Sequence, residues 1–304
     1  MPYTDLNLAL DNGYVNKLDL MINRCNQAHP VRDTLLIIEG GEGEGKTSSA
    51  VGTAYYAKYK TGRDIHLFFK LKDMASFVKN TEKKIIIWDE PSLDALNTDW
   101  YNGANKDLIR LLMNCRKKQH FLIFNFTKFD KFSPYIVVER AIALVHMYSR
   151  NEIEAGRFVY IRRRNLEELY NKYRASKKRF YKQLSSIRGS FPDVMKPELF
   201  NKMKIYVNNI PNATMEIYNQ EKDKGILSIG ESKEADTKDN KYEKELKELK
   251  YKCSQVKPPI KSRDEYASKL KISVRTLQTW AHAYKNHEDS VEKPQNEAEP
   301  EIQL

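Results

Sequence analysis

The sequence predicts an α/β fold with a mostly parallel central sheet. Two observations carry that expectation: short apolar runs recur at helix-length intervals, and the first of them stops at a glycine-rich turn that opens a helical pattern. The runs occupy 35–38, 65–69, 85–88, 121–126 and 141–147. Before them, 6–26 has the spacing of an amphipathic helix interrupted near Asn12-Gly13. After them, a turn at 151–156 leads into "RFVYIRR", expected as an extra strand at the sheet edge. Residues 166–188 predict one long basic helix, followed by proline-punctuated segments.

This pattern divides the chain into an N-terminal helical segment (1–30), an α/β core (31–165) and a basic helical extension (166–230). A charged linker (231–257) precedes a small helical module (258–287), and an acidic tail (288–304) has the composition of disorder.

Composition narrows the function. An apolar share of 40% supports a core, while a net charge of +11 favours an anionic partner, nucleotide or nucleic acid before membrane. Cys25, Cys115 and Cys253 are scattered, with no CxxC and no histidine spacing of a zinc site, so neither a disulfide framework nor structural zinc is expected. "MPYTDLNLAL" shows no basic-then-apolar leader and no run reaches membrane-spanning length. The expected location is the cytoplasm, a host's if the gene belongs to a virus or mobile element.

The chemistry begins at "GGEGEGKTS". Gly40-x-x-x-x-Gly45-Lys46-Thr47 is the spacing of a phosphate-binding P-loop, or Walker A motif. Glycine lets backbone N–H groups turn towards phosphate oxygens, and the helix that follows presents its positive end to the same anion. The expected nucleotide-binding residues are Gly40, Gly41, Glu42, Gly43, Glu44, Gly45, Lys46, Thr47 and Ser48. Lys46 would reach the β- and γ-phosphates and the Thr47 hydroxyl would ligate Mg²⁺. About forty residues on, "IIIWDE" ends an apolar strand in two acids. Asp89 fits the Walker B metal ligand and Glu90 the general base for an attacking water. The run between the Walker strands in sequence, and the run after them, fit the P-loop class with an inserted strand and a catalytic glutamate. In that class the strand after Walker B lies between the Walker strands and delivers a polar residue. Asn125, closing "FLIFN", fits a γ-phosphate sensor as well as a strand-end turn residue. ATP and Mg²⁺ are the expected ligands, since no guanine-reading NKxD occurs.

The Walker strands, a helix ending in an Arg-Lys pair ("LIRLLMNCRKKQH"), a strand with a polar end and "AIALVHM" together resemble the HerA/FtsK-type DNA-pumping ATPases. These include conjugation and virus-packaging motors and the zonula-occludens-toxin-like phage ATPases. The resemblance covers 31–165 and implies a RecA-like P-loop ATPase core assembled as a ring, a hexamer in that family. It also implies that Arg116 sits near a nucleotide at a subunit interface; a basic last turn complementing its own helix dipole explains Arg116 equally. Asn125 stands where many members carry Gln, and Pro91 follows the acidic pair.

Two further segments bear on DNA. Residues 157–188 hold eleven Lys and Arg against two Glu, interleaved with Tyr170, Tyr173, Phe180 and Tyr181. They suit a phosphate-following arm, or a helix whose aromatics pack inward beneath solvated cations. Residues 262–285 have a helix-turn-helix pattern, with Ser273 as a cap and Arg275, Gln278 and Thr279 on the second helix; DNA reading and protein docking both fit. The leading expectation is an ATP-hydrolysing, DNA-stimulated motor subunit. The alternatives are an ATP-switched DNA-binding or loader protein and an assembly protein that binds no nucleic acid.

Overall fold

A computed structural model describes residues 4–89, 104–150, 154–176, 180–235 and 268. The chain divides into two units, Met1–Ile229 and Gly230–Leu304, and the first holds the whole sheet. Glu90 and the helix-turn-helix pattern, Ser268 excepted, lie outside the described residues.

Each predicted apolar run forms a strand: β1 (Thr34–Glu39), β2 (Ile65–Phe68), β3 (Ile85–Trp88), β4 (Phe121–Phe126) and β5 (Ala143–Arg150). All five are mutually parallel, in the order β5-β1-β4-β3-β2. The strand that follows β3 in sequence therefore lies between the two Walker strands, as the class predicts. Continuous runs such as Leu35–Leu36–Ile37–Ile38 arise because both faces are covered. Leu36 and Ile38 face one core layer with Tyr14, Val51 and Tyr55. Leu35 and Ile37 face the other, with Met74, Leu108 and Leu112.

The first helix, α1 (Asn12–Asn26), begins where the sequence pattern falters. Asp11 is its N-cap, and the carboxylate accepts from Tyr14 N at 3.0 Å. The cap contributes about 1 kcal/mol. Burial of Val15, Leu18, Met21 and Ile22, each about 1.5–3 kcal/mol, holds the helix on the sheet. The Tyr14 hydroxyl shares a 2.9 Å hydrogen bond with Thr53 of α2 (Lys46–Thr61), fixing the Walker A helix against α1.

Two expectations change. β6 (Glu154–Arg162) runs antiparallel to β5, but it is not the edge, because β7 (Ile187–Ser190) pairs with it on the far side. The 166–188 stretch is not one helix either: it holds a helix at Leu166–Ser176, a short one at Tyr181–Leu184, and the start of β7. Leu166, Leu169, Tyr170, Tyr181 and Leu184 bury against the second core layer, which bends the chain back to the sheet. A two-residue strand, β8 (Tyr206–Val207), closes the opposite edge beside β2. The helix Met215–Ala235 then brings Tyr218 into the first core layer.

Candidate functional site

The glycine-rich turn sits at the C-terminal edge of the parallel strands, where α/β sheets bind ligands. Two glycines show why the composition is needed. A side chain on Gly40 would bring its Cβ to 2.7 Å from Met147 O, and Gly45, the residue before α2, has φ +87°. Gly41 N–H donates to the Glu44 carboxylate, while Gly156 N–H donates to Glu44 O at 3.2 Å. Lys46 is buried and its Nζ donates to Gly41 O at 2.5 Å, so the ammonium lies folded against the loop. Ser48 Oγ accepts from Val194 N at 2.8 Å and donates to Asp193 Oδ1 at 3.2 Å. That contact braces the start of α2 with a segment 145 residues away.

Asp89 follows β3 and is fully buried. Thr47 Oγ1 lies 3.2 Å from each of its carboxylate oxygens. Asn125 Nδ2 donates to Asp89 Oδ1 and, at 3.3 Å, to Thr47 Oγ1. The Asn125 Oδ1 is buried with no hydrogen-bond partner among the described residues. Unmet buried acceptors carry a cost of about 1–3 kcal/mol, so this oxygen has a partner to gain. The structure thus brings Lys46 and Thr47 at the start of α2 together with Asp89, just past β3, and Asn125 of β4. Glu42 and Gly43 are exposed on the loop.

Arg116 is elsewhere. It belongs to the 3-10 turn Cys115–Lys118 before β4, at the N-terminal end of the strands. The six residues of β1, roughly 20 Å of strand, separate that end from the P-loop. Within one subunit it does not reach Lys46.

One residue at this site has no local signal in the sequence. The Tyr218 hydroxyl, also buried, donates to Asp89 Oδ2 at 2.9 Å from 129 residues downstream. Glu39, one residue before Gly40, is buried too: it accepts from Phe129 N at 2.8 Å and lies 3.3 Å from His146 Nδ1. An acid at the end of an apolar strand, directly before the glycine-rich turn, is the sequence signal for it.

The donor set suits Mg²⁺ brought with a nucleotide. Thr47 and Asp89 supply hard oxygens, and the described residues hold no cluster of three or more His, Cys, Asp or Glu that would make a self-sufficient metal cage. No helix among them is long and apolar enough to cross a membrane.

A strand–glycine loop–helix unit facing an aspartate across one intervening strand defines a P-loop ATPase fold. Several solved structures share a partial likeness with the chain. The N-terminal domain of zonular occludens toxin from Neisseria meningitidis is 15% identical (TM-score 0.34), over 43% of this chain and 84% of that one. The FIGL-1 AAA domain, solved in complex with ADP, is 12% identical (TM-score 0.35), over 50% of this chain and 57% of that one. The RuvB Holliday junction branch migration motor of Thermotoga maritima is 16% identical (TM-score 0.33), over 88% and 85%. No protein-family profile matches the sequence, and no curated protein matches it.

Proposed function

We propose that the chain is an ATP-hydrolysing motor subunit that acts on DNA. The observation that carries the hydrolytic part is the Thr47–Asp89–Asn125 group, in which a buried carboxylate and an unsatisfied amide oxygen meet at the mouth of the P-loop.

In this reading the backbone of Gly40–Ser48 surrounds the phosphates, and Lys46 leaves Gly41 O to neutralise the β- and γ-oxygens. Thr47 and Asp89 would hold Mg²⁺, which when bound would neutralise negative charge on the phosphates. The Asn125 amide orients the attacking water or the γ-phosphate through the groups that now meet Asp89 and Thr47. Glu90, the next residue after Asp89 in sequence, takes the proton from that water. Electrostatic positioning of this kind supplies most of the catalysis in phosphoryl transfer. Arg116 serves a neighbouring subunit's nucleotide in a ring, a role compatible with its place at the far end of the strands.

The DNA assignment draws on charge. Arg163, Arg164 and Arg174 are exposed along the 157–188 arm, while Tyr170 and Tyr181 are buried and Tyr173 packs 5.4 Å from Phe129. With its aromatics turned inward, the arm is suited to phosphates and not to stacking bases. The 262–285 module supplies target choice. The test is the ATPase rate with and without single- and double-stranded DNA, with oligomer mass measured alongside. DNA-stimulated turnover by a ring is the expected result; ATP-dependent complex formation with negligible turnover would replace the motor by a switch.

A further inference from the structure

At the end of the sheet opposite the P-loop lies a pocket of about 380 Å³ lined by Arg24, Arg32, Arg116, Arg140 and Arg163 together with Asp33. Five separate elements meet there. Arg24 is in the last turn of α1, Arg32 precedes β1, Arg116 precedes β4, Arg140 ends the π-helical turn Tyr135–Arg140, and Arg163 follows β6. Convergence from such distant positions does not reflect a local run of basic sequence.

The ion pairing leaves these cations undercompensated. Arg140 is only 8% exposed and gives Nη2 to Asp33 at 2.6 Å, yet its Nε is buried with no partner among the described residues. Arg24 Nε is in the same condition. Arg163 spends one N–H on Glu139 O at 2.7 Å. Among the described residues that line the pocket, Asp33 and Glu139 are the only acidic ones, against five arginines. Burial, then the charges of Arg32 and Arg163, hold the Arg24 guanidinium below its usual range, so the arginines feel one another. A site with an excess of guanidinium N–H donors in forked, planar geometry, two of them buried without a partner among the described residues, is matched to a tetrahedral oxyanion.

We infer that this pocket binds a phosphate group, independently of the P-loop. The shared chemistry is a small phosphate anion, whether free or on a nucleotide, gripped by Arg24, Arg32 and Arg163 above the Arg140–Asp33 pair. The pocket's size leaves space for the group that carries the phosphate. This pocket lies apart from the P-loop residues; Arg116 and Arg163 on its lining are shared with the ring and DNA readings above, whereas Arg24, Arg32 and Arg140 are not, and failure of the site leaves the P-loop centre untouched.

The experiment uses the full chain carrying Lys46→Ala, which removes the P-loop cation. Binding of inorganic phosphate, pyrophosphate and ADP is followed by calorimetry at constant ionic strength, with chloride as the control anion. One equivalent of phosphate or pyrophosphate should bind, and Arg24→Gln with Arg32→Gln should weaken it at least tenfold. Both side chains are partly or fully exposed, and the double variant's circular dichroism and Tm in phosphate-free buffer report its fold. Arg163→Gln supplies an independent variant with the same expected loss. ADP binding as tightly as pyrophosphate assigns a nucleotide source, and weaker ADP binding assigns a free one. Unchanged affinity in both sets of variants, or a signal that chloride reproduces, overturns the site.

Discussion

The Tyr218 hydroxyl donates to Asp89 Oδ2 at 2.9 Å, joining the helix Met215–Ala235 to the acid that closes β3. Thr47 and Asn125 donate to the same carboxylate, so Tyr218 is one of several groups that set its rotamer. Hydrogen bonds to a charged group contribute about 1.5–3 kcal/mol, and about 1.4 kcal/mol is a factor of ten in rate. Tyr218→Phe should therefore lower kcat about tenfold or more while nucleotide affinity changes less than threefold. Because Tyr218 acts through Asp89, the Mg²⁺ concentration for half-maximal rate should also rise. A kcat loss with no movement in Mg²⁺ dependence would mark a packing defect in place of a positioning role.

The nucleotide chemistry separates by substitution. Lys46→Ala should abolish turnover and weaken ATP binding, since the cation facing the phosphates is gone. Glu90→Gln should bind ATP normally and hydrolyse it at least a hundredfold more slowly. Filter binding and single-turnover kinetics distinguish the two; parental turnover in Glu90→Gln would remove the general-base role.

His66 predicts an acid-sensitive fold. Its ring stacks 4.5 Å from Tyr206 and lies 4.2 Å from Phe77, and both nitrogens are buried without partners among the described residues. Burial, then the nearby Lys84 charge, pushes its pKa down to about 4. A histidine depressed in the folded state contributes stability above its unfolded pKa of about 6.5 and loses it as pH falls towards 4. The loss is on the order of 3 kcal/mol when complete. His66→Phe should flatten this part of the stability curve between pH 6.5 and 4, measured by urea unfolding. His120, also held low by burial, leaves a residual slope.

Legibility followed the range of the physics. Gly40, Gly45, Lys46, Thr47, Asp89 and Asn125 each stand at the end of an apolar strand or the start of a helix, so a local pattern reveals them. The strand order follows from the class that the Walker spacing defines. β7 escaped because "IRGS" is a half-exposed pairing strand with little apolar content, identifiable only once β6 offers it hydrogen bonds. Tyr218 escaped for a similar reason: one tyrosine in a polar helix has no sign of its target until the chain closes. The arm's aromatics were readable as either inward or outward, and packing on Phe129 decides between them.

Arg116 and the P-loop stand at opposite ends of the central strands, which makes a complementation experiment informative. Arg116→Ala subunits mixed with Lys46→Ala subunits should recover ATPase activity, because an intact P-loop then meets an intact arginine from a neighbour. Arg110, on the preceding helix Ala104–Asn114, is the second candidate. Full activity of Arg116→Ala alone would eliminate the first.

The last prediction separates the two basic segments. The 157–188 arm should contact phosphates, so its affinity should fall steeply with salt and vary little with sequence. Reversing the charge at Lys177, Lys178 and Arg179 should weaken binding to every DNA tested and flatten the salt slope by up to about three, one unit per lost phosphate contact. Any sequence preference should come from 262–285 through Arg275 and Gln278, which can pair with base edges. Removing 258–304 should leave basal ATPase intact, since the residues grouped at the P-loop end with Tyr218. Non-specific DNA should still stimulate the truncated protein through the arm. Selection of both proteins against a random DNA pool, followed by sequencing, decides the point. Identical enrichment profiles would make 262–285 a protein-docking element and place target choice on a partner.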